Sequence, residues 1–537
     1  MIFPFPLAYA ETHYRFKYFF SLYKKREPEV IADGPHRLDP DSPYPVMVLI
    51  KDAHLYPIDL TSVTVRLRHQ AREVYTHTVR HSPSLSLIDH YRHFLIDIPF
   101  EGTLASLFGH FTVDVEVKYL LRGKERTVRN NNHRFTSKTP LKFYRSHTGL
   151  PALPGWIYGD PHTHSTYTED QVEFGAPISA GPHLCRAMGL SFFAVTDHSY
   201  DLDDRTDSYL LNDPSLPKWN AFQQEVDRVN RREKDFAVLR GEEVSCTNRA
   251  GNNVHFLLLG NRTFFHGSGD SGEKWFRTKS EHTIRTILTE KELSVIAVAA
   301  HPTEEVPYLQ RLLLKRDEWS VADMSEDGLT GVQVLNGEWT DGTTRGLEIW
   351  QWMLLKGLRS FLFAGNDAHG NYNRFVQISI PMLSFREKET QVFGRMKSAV
   401  LAGSATEESI LDAMREGRVI ATTGPLVTVA LEGDPHGTAM IGETLRSRRF
   451  VVKVIGRSTE EFGRFSSIRV IVGTVGEKER TLFEWKQFSE PYHVHRISEW
   501  HEVVNFSYIR IVATTINGRG MDRDGTCLTN PIWIHPE

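Results

Sequence analysis

Two imidazoles stand two positions apart in Gly159-Asp160-Pro161-His162-Thr163-His164, directly after the apolar run Trp156-Ile157-Tyr158. In extended backbone, residues i and i+2 point to the same side, so His162 and His164 could share one cation. Neutral imidazole is the commonest protein metal ligand. In a chain with 25 His, an H-x-H pair says little by itself. Its weight comes from further apolar runs that each carry another group able to ligate. Thr196-Asp197-His198 follows Phe192 to Val195, and Gly241-Glu242-Glu243 follows Phe236 to Leu239. His255 opens the run Phe256 to Leu259, and His301-Pro302 follows Val295 to Ala300. Gly365-Asn366-Asp367-Ala368-His369 follows Phe361 to Ala364. In parallel α/β folds, functional groups gather at the carboxyl ends of strands. Imidazole and carboxylate sets without thiolate suit Zn, Mn or Fe and leave the Lewis acidity high. A carboxylate such as Glu243 can bridge two cations, and paired cations activate water and stabilise attacking and leaving oxygens. Desolvating this many polar groups without a cation would be costly.

The order HxH … TDH … GxE … H … HP … GxDxH resembles that of the PHP (polymerase and histidinol phosphatase) superfamily of metal-dependent hydrolases, over about residues 156 to 378. The resemblance implies a distorted (β/α)7 barrel holding two or three divalent metal ions. It implies that His162, His164, Glu243 and Asp367 hold the first ion, Glu243, His255 and His301 the second, and His198 and His369 the third. Asp170, with Glu169 as its rival, matches the acidic or His residue that members use shortly after the HxH. Pro161 departs from the apolar residue usual before the first His, and Gln333 stands where many members carry Glu. The segment from Ile410 to Ile420 with Thr423-Gly424-Pro425, and Thr529-Asn530-Pro531-Ile532-Trp533 near the end, are similar to the carbaryl hydrolase-like (CehA/McbA-type) branch. That similarity implies a β domain on each side of the barrel.

The elements that must position these groups fall into three stretches. Residues 1–150 read as an N-terminal β-sandwich-like domain, with alternating runs such as Phe111 to Val117 separated by turn clusters. Pro151-Ala152-Leu153-Pro154-Gly155 reads as a linker. Residues 156–403, where short apolar runs alternate with helical patterns, read as the β/α barrel. Residues 404–537 read as a helix, Glu407 to Glu416, followed by a C-terminal β-sandwich-like domain. At 537 residues the chain exceeds one ordinary core. The net charge of −4 gives no reason to expect nucleic acid as a partner. Three cysteines far apart fit a reducing compartment. Ala8-Tyr9-Ala10 has the look of a cleavage site, but Pro4 and Pro6 interrupt a short apolar start that lacks basic residues. No apolar run approaches the roughly 20 residues of a membrane helix. The chain therefore reads as cytoplasmic, with no membrane partner.

These readings predict a metal-dependent hydrolase in which activated water attacks a phosphorus or carbonyl centre of a small-molecule substrate. A phosphoesterase is the first expectation. An amide, ester or carbamate hydrolase is the second, and a metal-loaded binding or assembly protein without turnover the third. Glu243 and Asp197 are the candidate catalytic carboxylates, although Asp197 could simply cap a turn. Arg249 is the candidate for an anionic substrate oxygen, against the plainer reading of a solvated loop arginine. The acidic stretch Asp201-Leu202-Asp203-Asp204 reads equally as a lid over the site or as a solvated loop.

Overall fold

The computed structural model describes residues 27–537 apart from 134–135, 169–173, 207, 272–277, 376, 381–382, 387–388, 435–436 and 522. The N-terminal region is a sandwich of two sheets. Tyr44–Lys51 lies between Glu29–Asp33 and Tyr91–Ile98 in one, and the long strands Ile58–His69, Arg72–Leu87 and Gly109–Leu121 dominate the other. In Gly109–Leu121 every second residue from Phe111 to Leu121 is buried. That alternation puts one face on the core and the other in water.

The central region does not form the expected (β/α)7 barrel. Apart from two small hairpins, its strands belong to one curled, sixteen-stranded sheet that runs on without a break into the C-terminal region. Two features defeat barrel closure by parallel β/α repeats. First, Ala237–Thr247 and Asn253–Leu259 are joined by the tight turn Asn248 to Asn252 and pair antiparallel, as does Asn253–Leu259 with Ile296–Ala300. No helix stands between the first two of these strands. Second, Trp156–His164 pairs parallel with Phe192–Val195 on one side but antiparallel with Lys397–Leu401 on the other. Lys397–Leu401 then pairs with Val419–Thr422, so the sheet passes through the boundary expected near residue 404.

The remaining steps of the central run are parallel: Phe192–Val195 with Ala237–Thr247, Ile296–Ala300 with Gly331–Asn336, and the latter with Phe361–Gly365. These strands are buried along their whole length, as covering on both faces requires. Helices cover the sheet. Pro217–Arg232 starts with Pro at its first turn and ends on Arg231 and Arg232. Its inward residues Trp219, Phe222, Val226 and Val229 recur at helical spacing. In the C-terminal region a second sheet, built on Leu426–Asp434 and Arg449–Arg457, packs its buried Val427, Val429, Val452 and Val454 with Ile468, Val470, Ile509 and Ile511 of the large sheet. Among the described residues, no helix is long and apolar enough to cross a membrane.

The curl brings Phe361–Gly365 back toward Trp156–His164. The Asp367 N–H donates to the His162 carbonyl at 3.0 Å, and Ala368 and His369 pair with Thr163 and His164. Gly365 permits the approach, because a Cβ there would stand 2.9 Å from the His162 Cβ and 3.0 Å from Gln333 Nε2.

Candidate metal centre

Glu243 is the hub. It lies in Ala237–Thr247, fully buried, and five imidazoles face its two carboxylate oxygens. His255 Nδ1 and His198 Nδ1 each stand 3.0 Å away, His162 Nε2 and His301 Nε2 each 3.3 Å, and His164 Nε2 3.5 Å. Asp367 supplies the second carboxylate, 3.2 Å from His162 Nε2 and 3.0 Å from His164 Nε2. His369 stacks on His164 with ring centroids 4.3 Å apart. Ligand atoms of three sets lie within 4.8 Å of one another: His162, His164, Glu243 and Asp367; His198, Glu243 and His255; and His164, His198 and His369.

Eight of the nine residues singled out as ligands from the sequence thus meet in one place. Their grouping differs from the expectation in two respects: His198 joins Glu243 and His255, where His301 was expected, and His164 joins His198 and His369. His301 sits beside the same Glu243 oxygen as His255 and 3.9 Å from Asp367 Oδ2. Asp170 and its rival Glu169 lie outside the described residues.

The backbone is bent to present two of these groups. His301 and Asp367 adopt φ of 27° and 52°. Left-handed backbone costs a non-glycine residue on the order of 1–3 kcal/mol and clusters at functional sites.

Burial alone would push the Glu243 carboxyl up, but His255 and His162 hold it well below the usual carboxylate range. Asp367 is likewise held down by His162 and His164 against its burial. Burial lowers His162, yet Glu243 and Asp367 bring it up to about 9. His255, pushed down by burial and Arg316, is raised to about 10 by Glu243 and Asp270. His164, by contrast, falls to about 4 through burial and the neighbouring His198. Two carboxylates thus carry charge that only nearby imidazolium protons offset. Those are the protons a cation displaces when it binds.

Hydrogen bonding does not account for the cluster. Glu243 Oε2, Asp367 Oδ2 and His162 Nε2 are buried and make no hydrogen bond, although groups of opposite charge stand within 3–4 Å. A buried polar atom left so costs about 1–3 kcal/mol. Three such atoms left over beside the bonds His164 Nε2 to Asp367 Oδ1 and His301 Nε2 to Glu243 Oε1 fit a shared divalent ion, and this donor set suits Zn, Mn or Fe.

Several partners of the cluster escaped the sequence reading. The Gln333 carboxamide oxygen accepts from His162 Nδ1 at 2.7 Å, and Asp270 Oδ2 meets His255 Nε2 at 2.8 Å. Each fixes the ring nitrogen opposite the one that faces Glu243. Asp160 accepts from the His162 N–H, the Asn366 side chain and the Gly394 N–H, bracing the loop ends on which the ligands sit. Arg316, nearly fully buried, places Nη2 3.3 Å from His255 Nδ1. Gln333 was visible in the sequence as a departure. Asp270 and Arg316 carried no local signal.

Three expectations are corrected. Asp197 accepts from both the N–H and hydroxyl of Ser165, at 2.7 Å each. It therefore holds the turn after His164, the plainer of its two readings. Arg249 is half exposed and paired with Glu326, so it does not join the cluster. Asp201, Leu202, Asp203 and Asp204 are buried, so the stretch is not a solvated loop.

No family model matches the chain, and no curated protein matches it. Among solved structures, a cycloisomaltooligosaccharide glucanotransferase of Paenibacillus sp. aligns at 9% identity over 94% of this chain and 70% of that one, with a TM-score of 0.19. A glycosyl hydrolase family 2 member from Bacteroides cellulosilyticus aligns at 11% identity over 95% of this chain and 63% of that one, with a TM-score of 0.16. The Parabacteroides merdae β-glucuronidase gives 8%, 95%, 64% and 0.17. Overlaps of this quality carry no argument about fold or activity.

Proposed function

We propose that the chain is a metal-dependent hydrolase, first of all a phosphoesterase acting on a small phosphorylated substrate. The observation that carries this reading is the single buried carboxylate, Glu243, faced by five imidazoles and joined by Asp367. His162, His164, Glu243 and Asp367 would hold one divalent ion, and Glu243, His198 and His255 another, with His301 at their edge and His369 beside His164. When bound, such ions supply Lewis acidity and make water ionise near neutral pH.

The chain's own groups do the rest. Gln333 and Asp270 fix the orientation of His162 and His255, and Glu243 holds the two ligand sets in register. A cleft lined by His255, His301, Glu304, Gln310, Arg316 and Trp319 reaches the cluster from outside. Although Glu304, Glu305 and Asp317 line the same cleft, Arg316 puts a cation beside His255 that can meet an anionic oxygen. It takes the place that the sequence reading assigned to Arg249. The same site chemistry serves an amide, ester or carbamate, which stand second to the phosphoester.

Elemental analysis of the purified protein beside His164→Ala tests the reading, with both assayed on phosphomonoester, phosphodiester and aryl-ester substrates. Bound metal and phosphoester turnover are expected in the natural chain and absent from the variant. Turnover of the carbonyl substrates alone would transfer the reading to the carbaryl hydrolase type. Bound metal with no turnover on any of them would favour a binding protein.

A further inference from the structure

The N-terminal sandwich carries a second convergence of ligand-type side chains, on its surface. Strands Tyr44–Lys51 and Tyr91–Ile98 pair antiparallel, and the ladder ends at Lys51 opposite Tyr91. One residue further, the Asp52 N–H donates to the His90 carbonyl at 2.7 Å, and the His54 N–H donates to the Asp89 carbonyl at 3.1 Å. These bonds lock two turns side by side, one after Lys51 and one before Tyr91. His90 Nε2 stands 3.2 Å from Asp52 Oδ1, and the rings of His54 and His90 meet edge to face with centroids 4.8 Å apart. One ligand atom from each of Asp52, His54 and His90 lies within 4.8 Å of the other two. The Asp52 side chain is mostly covered, whereas the His90 ring is half exposed. The group is therefore anchored on one side and open to solvent on the other.

We propose that Asp52, His54 and His90 form a surface Zn²⁺ site, separate from the buried cluster. Two imidazoles and one carboxylate are a set zinc accepts, with water completing a tetrahedron on the open side. The ligands come from two turns already held by backbone hydrogen bonds, so little ordering is left for binding to impose. No residue of this group takes part in the central cluster. A zinc ion here clips the turn after Lys51 to the turn before Tyr91 at the end of the sheet.

Titration at buffered free zinc tests the proposal on the full chain, comparing it with the His54→Gln/His90→Gln double variant and with Asp52→Asn. The natural chain is expected to take up one more zinc ion than the double variant. Asp52→Asn should weaken that last ion by at least about tenfold. Equal zinc uptake by the natural chain and the double variant would overturn the site. A second measurement avoids any dependence on how the variants fold. In the natural chain, saturating zinc should protect His54 and His90 from diethyl pyrocarbonate, read residue by residue by mass spectrometry. Unchanged labelling of both would reject the proposal.

Discussion

At the scale of single residues, the central cluster depends on the negative charge of Glu243. Glu243→Gln keeps the shape and removes that charge, leaving five imidazoles around a neutral amide. We expect loss of bound metal and of turnover together, read by elemental analysis beside the assay. Gln333→Leu is a subtler test. It leaves every ligand in place but takes away the acceptor that fixes the His162 ring at 2.7 Å. Metal affinity should fall roughly 10–100-fold, with the circular dichroism spectrum unchanged. The candidate ligands of the cluster could be read from the sequence because each sits just beyond or within an apolar run, where a few adjacent letters carry the pattern. Asp270 and Arg316 could not. Each reaches His255 from a segment at least fifteen positions away, and only folding makes them neighbours.

At the scale of elements, the positions of the strands were legible and their pairing was not. Alternating or continuous apolar runs marked Phe192–Val195, Ile296–Ala300 and Phe361–Gly365 closely. Which strand lies beside which is decided by contacts far apart in sequence. One local clue did bear on it: Asn248 to Asn252 contains Gly251 at φ 82°, and such a turn joins antiparallel strands rather than parallel ones. The alternation of helix and strand elsewhere concealed it. The close passage of Phe361–Gly365 past Trp156–His164 gives the prediction at this scale. In Gly365→Ala the new methyl group meets the His162 Cβ at 2.9 Å and the Gln333 amide at 3.0 Å. The strands must part, at a cost of about 1–3 kcal/mol. Urea unfolding should show that loss, and metal affinity should fall with it because His162 and Gln333 shift together.

At the scale of the molecule, the three regions meet at a buried ionic group that no single stretch of sequence discloses. Arg37 of the N-terminal sandwich reaches Glu461 of the C-terminal region through two bonds, at 2.7 and 2.9 Å, and also donates to the Met188 carbonyl. Arg37→Met strands the Glu461 and Asp39 carboxylates in covered positions and should cost about 3–5 kcal/mol, whereas Arg37→Met/Glu461→Met should recover part of it, Asp39 still lacking its partner. Lys397, from the strand that joins the central and C-terminal parts of the sheet, is buried against the same group. Its ammonium donates to the Arg395 carbonyl and faces the Phe462 ring. Burial, with Arg37 nearby, lowers it from its ordinary 10.5 to about 7. The unfolded lysine keeps its proton until about pH 10.5, while the folded one gives it up near pH 7. Between those values the unfolded state binds the extra proton, so this group makes stability rise with pH. Below pH 7 both states are protonated and the full cost of the buried charge, on the order of several kcal/mol, is present. Lys397→Met removes that charge at similar volume. It should therefore raise the urea midpoint most at pH 6, less at pH 9, and hardly at all near pH 10.5; a gain that stayed constant across that range would show that Lys397 is not buried as a charge.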